Sequence, residues 1–194
     1  MRVVRETVKS RILRGAFHER LRPLGPEQRD LLLHAAALGR HFHVDVLAVL
    51  VGQTPAQTRR ALRRACAMQL LEGVDGSPGR FQFRHALTRD AMYSELVASQ
   101  LQPLHREIAL ALEGAGAASA GASIDELAYH WWAAGDPERG SRYNEEAGDR
   151  AAAVYAEDDA LMYYRRALDL LALSPARRRI EAKIDALGAR AGDE

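Results

Sequence analysis

The chain of 194 residues contains one cysteine, few aromatic side chains and no long hydrophobic run. The lone Cys66 excludes an internal disulfide framework and indicates a reducing, intracellular compartment. Aromatic residues make up only 6% of the chain, whereas alanine and leucine are abundant, and this composition favours helix. The strongest apolar runs, at residues 31–38 and 44–51, are too short to span a bilayer. The N-terminal segment is charged and lacks the apolar region of a signal peptide, so we expect a cytoplasmic protein that does not associate with membranes.

The sequence also lacks the motifs of several enzyme classes. No G-x-x-x-x-G-K-[ST] segment is present, so no P-loop is available to cradle the phosphates of a nucleotide. No Ser/His/Asp or Cys/His arrangement can be assigned to nucleophilic catalysis. His41 and His43 would share one face of an extended segment, but no third ligand lies near them in the sequence. We therefore expect no enzymatic activity, no metal and no cofactor.

Charge is distributed unevenly, although the net charge is only +1. Residues 1–106 carry 17 Lys and Arg against 9 Asp and Glu, whereas residues 107–194 carry 10 against 17. A basic half is typical of a protein that meets nucleic acid or a nucleotide-bearing partner. Alternatively, the two halves of opposite sign attract each other or flank a partner domain.

The first part of the chain predicts the element order of a winged-helix domain. Apolar spacing predicts an amphipathic helix at residues 2–21, and turn signals divide the sequence that follows it. Thr54, Pro55 and Gln57 form a helix start signal, and alternating apolar residues flank a turn-rich loop. The further predictions are helices at residues 26–38, 44–51, 55–69, 86–98 and 101–113, a short extended piece at 40–43, and strands at 70–74 and 80–84. We interpret residues 1–113 as a winged-helix domain with one β-hairpin and flanking helices, in which the helix at 55–69 has the recognition position.

The last part of the chain predicts paired helices after a linker. Residues 114–122 are rich in Gly, Ala and Ser, and Ser123 with Glu126 forms a capping box that opens the next helix. Four helices joined by short turns follow, and we expect Trp131 and Trp132 to wedge between them. Small and aromatic residues at the spacing of a tetratricopeptide (TPR) repeat are Gly148, Ala160, Tyr164 and Ala167. Residues 123–194 are thus interpreted as TPR-like helical hairpins, and the whole fold as mainly α.

Three segments resemble the middle of STAND-type signal-transduction ATPases, notably the large LuxR-family and adenylate-cyclase-associated bacterial regulators. They are LLLHAAALGRHF at residues 31–42, FRHALTRDAMYSEL with LHREIALALE within residues 83–113, and ELAYHWWAAGDPERGSRYNEEAGDR at residues 126–150. In that family a nucleotide-binding domain precedes the winged helix, and a helical sensor follows it. The resemblance implies a regulatory piece that couples a nucleotide switch to a sensor, and it implies an ATPase domain or another protein as partner. Since no P-loop is present, we expect a fragment or a remnant of a larger regulator.

The resemblance also assigns a role to one histidine. The winged helix of the family clamps ADP through the histidine of a Met-His-Asp motif, and Arg84, His85 and Ala86 occupy those positions here. His85 is therefore the expected nucleotide-sensing residue; alternatively, it begins a helix and hydrogen-bonds to its own backbone. Gly140 and Asn144 replace the alanine and leucine expected in the repeat helix, which suggests relaxed packing there.

Arginines supply the candidate binding surface. Four arginines occupy positions i, i+1, i+4 and i+5 within the predicted helix at 55–69, and this spacing places them on one face of the helix. The candidates for DNA or partner binding are Arg59, Arg60, Arg63 and Arg64, together with Arg80 and Arg84 of the hairpin. A recognition helix uses arginines to contact phosphates or guanine edges, so DNA binding by a stand-alone winged-helix regulator is the alternative function. The preferred function is a non-enzymatic switch module in which this face docks on an ATPase domain.

Overall fold

The computed structural model describes residues 24–115 and 123–191, with side chains to residue 189. This part of the chain is mainly helical, as expected, and contains one small sheet. The helix predicted at residues 2–21 and most of the predicted linker lie outside the described residues. In chain order the elements are α1 (Pro26–Leu38), β1 (His41–His43), α2 (Val44–Leu50), α3 (Pro55–Ala67), β2 (Leu71–Gly73), β3 (Arg80–Phe83), α4 (Ala86–Tyr93), α5 (Ala98–Ala115), α6 (Ile124–Ala133), α7 (Pro137–Ala153), α8 (Glu157–Leu170) and α9 (Pro175–Ala191). No helix in these ranges is both long enough and apolar enough to cross a bilayer.

The described chain divides into two compact units at Val97/Ala98. In the first unit, local signals fix where helices begin and end. Helix α1 ends before Gly39, whose φ of +135° few residues other than glycine adopt. At α3 the Thr54 hydroxyl accepts a hydrogen bond from the Gln57 amide, and the Gln57 side chain accepts one from the Thr54 amide. The predicted start of α3 is therefore confirmed.

A three-stranded antiparallel sheet in the order β1-β3-β2 completes the first unit. The predicted β-hairpin is confirmed as β2 and β3, and the predicted extended piece forms a third strand that pairs with β3 in the register Phe42↔Phe81. Phe42 and Phe83 are buried, and their rings lie 6.1 Å apart. The loop returns to β3 through Gly79, where a Cβ atom would lie 2.9 Å from His43 Nε2. The φ of +85° at Gly79, which few residues other than glycine adopt, favours glycine there together with this close approach.

Helix α5 belongs to the second unit, whereas the sequence interpretation placed it with the first domain. It packs against α6, and its Glu113 carboxylate joins three helices. Glu113 accepts hydrogen bonds from Trp131 Nε1 of α6 at 3.1 Å and from the Tyr143 hydroxyl of α7 at 2.9 Å. Arg139 of α7 pairs with the same carboxylate at 3.3 Å. These contacts join residues on either side of the predicted linker, so the boundary between the units precedes α5.

A buried pair of imidazoles also joins α5 to α6. The Nδ1 atoms of His105 and His130 lie 2.9 Å apart, and each residue is only 1% exposed. In a hydrogen bond between two ring nitrogens, one nitrogen carries the proton and the other is unprotonated and accepts it. Since at least one Nδ1 atom is unprotonated, the pair carries at most one positive charge.

Helices α7 and α8 approach each other closely through small residues. Gly148, Ala160, Tyr164 and Ala167, which fall at the spacing of a TPR repeat, are all buried. A Cβ atom at Gly148 would lie 2.5 Å from the Tyr164 ring, so only glycine fits there without a shift of the ring. The interface therefore depends on the absence of a side chain at this position.

The expectation of relaxed packing at Gly140 and Asn144 is wrong. A Cβ atom at Gly140 would collide with the Leu170 side chain and with the Trp131 carbonyl. The fully buried Asn144 donates from Nδ2 to the carbonyls of Ala128 at 2.7 Å and Gly140 at 2.8 Å. Glycine is thus needed for close packing, and Asn144 ties α7 to α6.

An ion-pair network connects α7 to α9. The Glu145 carboxylate accepts hydrogen bonds from Arg179 and from Lys183, which also pairs with Asp149 at 2.6 Å. The hydrogen bond from Arg179 is the largest influence that lowers the pKa of Glu145 to about 2, and Lys183 adds to it against the opposing effect of burial. Glu145 is therefore ionised throughout the physiological range.

Candidate interaction surface

Helix α3 is oriented by one narrow buried face. Thr58, Leu62 and Ala65 are buried, at the spacing of successive turns on one side of the helix. The Gln28 side chain of α1 donates to the Ala61 carbonyl at 2.9 Å and holds the helix against its neighbour. This anchoring fixes which residues of α3 face solvent.

The opposite side of α3 carries four exposed arginines, which we call the arginine face: Arg59, Arg60, Arg63 and Arg64. The sequence predicted that these residues share a face, and the structure confirms it. Among the described residues, no acidic side chain forms an ion pair with Arg59, Arg60 or Arg63. Like charges one turn apart on a helix repel one another. The arginine face is therefore a local concentration of positive charge that an anionic surface would relieve.

The two hairpin arginines differ in their surroundings. Arg84 Nε pairs with Glu72 Oε2 at 3.0 Å, and the other oxygen of that carboxylate accepts from Gln82 Nε2 at 2.7 Å. Arg80 is exposed on β3, opposite His43 of β1. Sequence reasoning missed the Glu72–Arg84 pair, although strand alternation places Glu72, Gln82 and Arg84 on one face of a hairpin. The structure thus leaves Arg80 accessible but engages Arg84 within the hairpin.

His85 lies at the junction between β3 and α4. It occupies the N-cap position of α4, yet its side chain forms no capping hydrogen bond and is exposed. The alternative role, in which the imidazole bonds to its own backbone, is therefore not the one observed. Nearby, Arg89 donates from Nε to the Ala36 carbonyl at 2.8 Å and lies over the Tyr93 ring. Arg89 therefore holds α4 against α1, and neither of these contacts involves the exposed His85 side chain.

The charge of the first unit is concentrated on α3. Residues 24–97 contain nine arginines, no lysine and seven acidic residues, which gives a net charge of +2. This is far smaller than the net charge of +8 that the 17 basic and 9 acidic residues of the range 1–106 give. Much of the remaining excess lies in residues 1–23, which the structure does not describe. The hairpin loop at residues 74–79 carries Asp75 and no basic side chain. Four of the nine arginines of this part of the first unit thus lie on the arginine face, and the hairpin loop itself adds no basic side chain, although Arg80 follows it directly.

The first unit holds two further polar features that bear on metal binding and redox chemistry. His43 accepts a hydrogen bond from the Asp45 amide and caps α2, and within the described ranges no three His, Cys, Asp or Glu side chains converge on a common point. Burial raises the pKa of the Cys66 thiol, which disfavours the reactive thiolate.

Comparison of the chain with protein-family models, with curated proteins and with solved structures gives no match.

Proposed function

We propose that the chain is a cytoplasmic, non-enzymatic regulatory module of a STAND-type signal-transduction ATPase regulator. The first unit acts as a winged helix, and the second acts as a TPR-like sensor. The element order α1-β1-α2-α3-β2-β3 and the strand order β1-β3-β2 support the winged-helix assignment. The close α7–α8 packing around Gly148 and Tyr164 supports the TPR-like one. The arginine face docks on an acidic surface of a P-loop ATPase domain, and His85 reaches the nucleotide held there.

One observation carries the choice of a protein over DNA as the partner. Arg59, Arg60 and Arg63 of the arginine face are exposed and form no ion pair with a described acidic residue, whereas the hairpin loop at residues 74–79 bears Asp75 and no basic side chain. A winged helix that lies on a duplex brings its hairpin tip close to the phosphate backbone, where an acidic residue is repelled. A protein surface can match an isolated patch of four arginines, because its charges need not continue beyond the patch.

DNA remains the second candidate because of the arginines themselves. Four arginines within two turns of a helix in the recognition position are typical of a helix that enters the major groove. In that case the chain would regulate transcription directly.

The two candidates are separated by the salt dependence of DNA binding. Fluorescence anisotropy with a random-sequence duplex is measured over a range of salt for the wild type and for Arg60→Ala with Arg63→Ala. A control variant, Arg40→Ala with Arg165→Ala, removes the same charge from exposed arginines outside the arginine face. We expect weak binding with the same salt slope for both variants. A slope that falls by about one unit per arginine removed from α3, and not in the control, would establish DNA binding and refute docking.

A further inference from the structure

A cluster of aromatic rings and one arginine lies across α6 and α8. The Arg166 guanidinium is 5.0 Å from the centre of the Trp132 ring, 5.7 Å from that of Tyr129 and 5.9 Å from that of Tyr163. All four side chains are half-buried. We call these four residues the Arg166 cluster. Stacking on aromatic rings stabilises a guanidinium through its two faces. Its five N–H groups point outward in the plane of the guanidinium, and stacking gives them no hydrogen-bond acceptor.

Arg166 differs from the other half-buried arginines whose side chains are described in the second unit. Arg139 pairs with Glu113, and Arg177 pairs with Glu181 at 2.9 Å. For Arg166, in contrast, no hydrogen bond or ion pair to any described residue is present. A partly desolvated guanidinium without a carboxylate is costly, and its planar fork matches a carboxylate with two parallel hydrogen bonds.

The surroundings of the cluster select the kind of anion. The Tyr163 hydroxyl donates to Asp125 Oδ1 at 2.9 Å, so a carboxylate already lies at the edge of the cluster. Burial, followed by that hydrogen bond, raises the pKa of Tyr163 to about 12, so the hydroxyl remains a donor. Asp125, with Asp159 nearby, repels a polyanion such as nucleic acid but leaves Arg166 free to take one carboxylate.

We propose that the Arg166 cluster binds a glutamate or aspartate side chain of a peptide segment from a protein partner. The carboxylate pairs with Arg166, and apolar neighbours of the acidic residue pack on Trp132 and Tyr129. Trp, Tyr and Arg are the residues that dominate binding energy at protein interfaces. The site is independent of the arginine face, and its failure would leave the proposed docking of α3 untouched.

The fluorescence of Trp132 provides the assay, because Trp131 is fully buried and bonded to Glu113. The full chain is titrated with acetyl-Leu-Glu-Leu-amide and with acetyl-Leu-Gln-Leu-amide, which differ only in the carboxylate. A third peptide, acetyl-Leu-Gln-Leu with a free terminus, offers a chain-terminal carboxylate instead. We expect saturable binding of the Glu peptide, about tenfold tighter than that of the Gln peptide, as for one charge-assisted contact.

Variants connect the effect to the guanidinium. Arg166→Gln should remove the preference for the Glu peptide, and Arg166→Lys should retain only part of it, because lysine keeps the charge and loses the fork. Arg165→Gln, at an exposed neighbour on the same helix, should leave the preference unchanged. Thermal melts show which variants are folded. If Arg166→Gln is unfolded, the proposal is judged on Arg166→Lys alone, which should show a reduced preference for the Glu peptide.

Three results would overturn the proposal. They are equal affinity for the Glu and Gln peptides, the absence of saturable binding, and the same loss in the Arg165 and Arg166 variants. Tighter binding of the free-terminus peptide would assign the site to a chain end and would also refute the side-chain assignment. Binding of duplex DNA that competes with the Glu peptide would do the same.

Discussion

Replacement of Glu113 by alanine tests whether α5 is an integral part of the second unit. The carboxylate is the common acceptor for Trp131, Tyr143 and Arg139, which lie on two other helices. Glu113→Ala removes all three contacts at once. If these contacts hold α5 against α6 and α7, the substitution must destabilise the second unit.

The size of the loss follows from the burial of each partner. Trp131 is fully buried, and leaving its indole N–H without an acceptor costs about 1–3 kcal/mol. Tyr143 is half-buried, so water replaces its acceptor and the loss is about 0.5 kcal/mol. Arg139 is 41% exposed, and its ion pair contributes at most about 1 kcal/mol. A carboxylate in the last turn of α5 opposes the helix dipole, and its removal returns about 0.3–1 kcal/mol. We expect a net loss of about 2 kcal/mol.

Urea unfolding followed by tryptophan fluorescence measures this loss. Trp131 and Trp132 are the two tryptophans of the chain, and both lie in the second unit, so the signal reports on that unit. A loss of about 2 kcal/mol shifts the midpoint by about 1 M urea. Glu113→Gln keeps an acceptor oxygen and should lose less, and Glu107→Ala, at an exposed position of the same helix, should lose under about 0.5 kcal/mol. If the alanine variants of Glu113 and Glu107 unfold alike, α5 is not held as described.

Three further predictions concern the second unit and use the same unfolding assay. Gly148→Ala should destabilise it by about 1–3 kcal/mol because the added Cβ meets the Tyr164 ring, and an unchanged midpoint would contradict the close packing of α7 and α8. Because the pKa of Glu145 is held at about 2, below its usual 4.5, its stabilising effect is complete above pH 4.5 and is lost as pH falls towards 2. Glu145→Gln should therefore make the stability of the unit depend less steeply on pH between 4.5 and 2. If the pH dependence of the unfolding midpoint is the same in the variant and the wild type, the ion-pair network of Glu145 does not stabilise the fold as described. His105→Ala should destabilise the unit by about 1–3 kcal/mol because it removes the buried ring that His130 Nδ1 contacts at 2.9 Å, and an unchanged midpoint would contradict the buried pair.

The features that the sequence predicted correctly are those set by neighbouring residues. The capping boxes at Thr54 and Ser123 are present, and α1 ends before Gly39, because each signal acts within one turn of helix. The grouping of the α3 arginines follows from helical periodicity alone. These predictions required no knowledge of what lies across the fold.

The features that the sequence did not predict depend on contacts between distant residues. Glu113 meets Trp131 and Tyr143 across the predicted linker, and the Gly- and Ala-rich composition of that linker gave no sign of the contact. Gly140 was interpreted by comparison with a repeat consensus, whereas its need for close packing comes from Leu170, thirty positions later. Periodicity reports which face of a helix is buried but not what covers it.

The most direct test of the proposed docking is calorimetric titration of the chain with the isolated P-loop ATPase domain of a STAND-type regulator. We expect binding that Arg60→Ala with Arg63→Ala weakens at least about tenfold, because two charge-assisted contacts are lost. The control pair Arg40→Ala with Arg165→Ala should bind like the wild type. Docking through the arginine face would be contradicted by binding that the α3 variant leaves unchanged. It would also be contradicted by the absence of binding to the ATPase domain together with salt-sensitive DNA binding that requires Arg60 and Arg63.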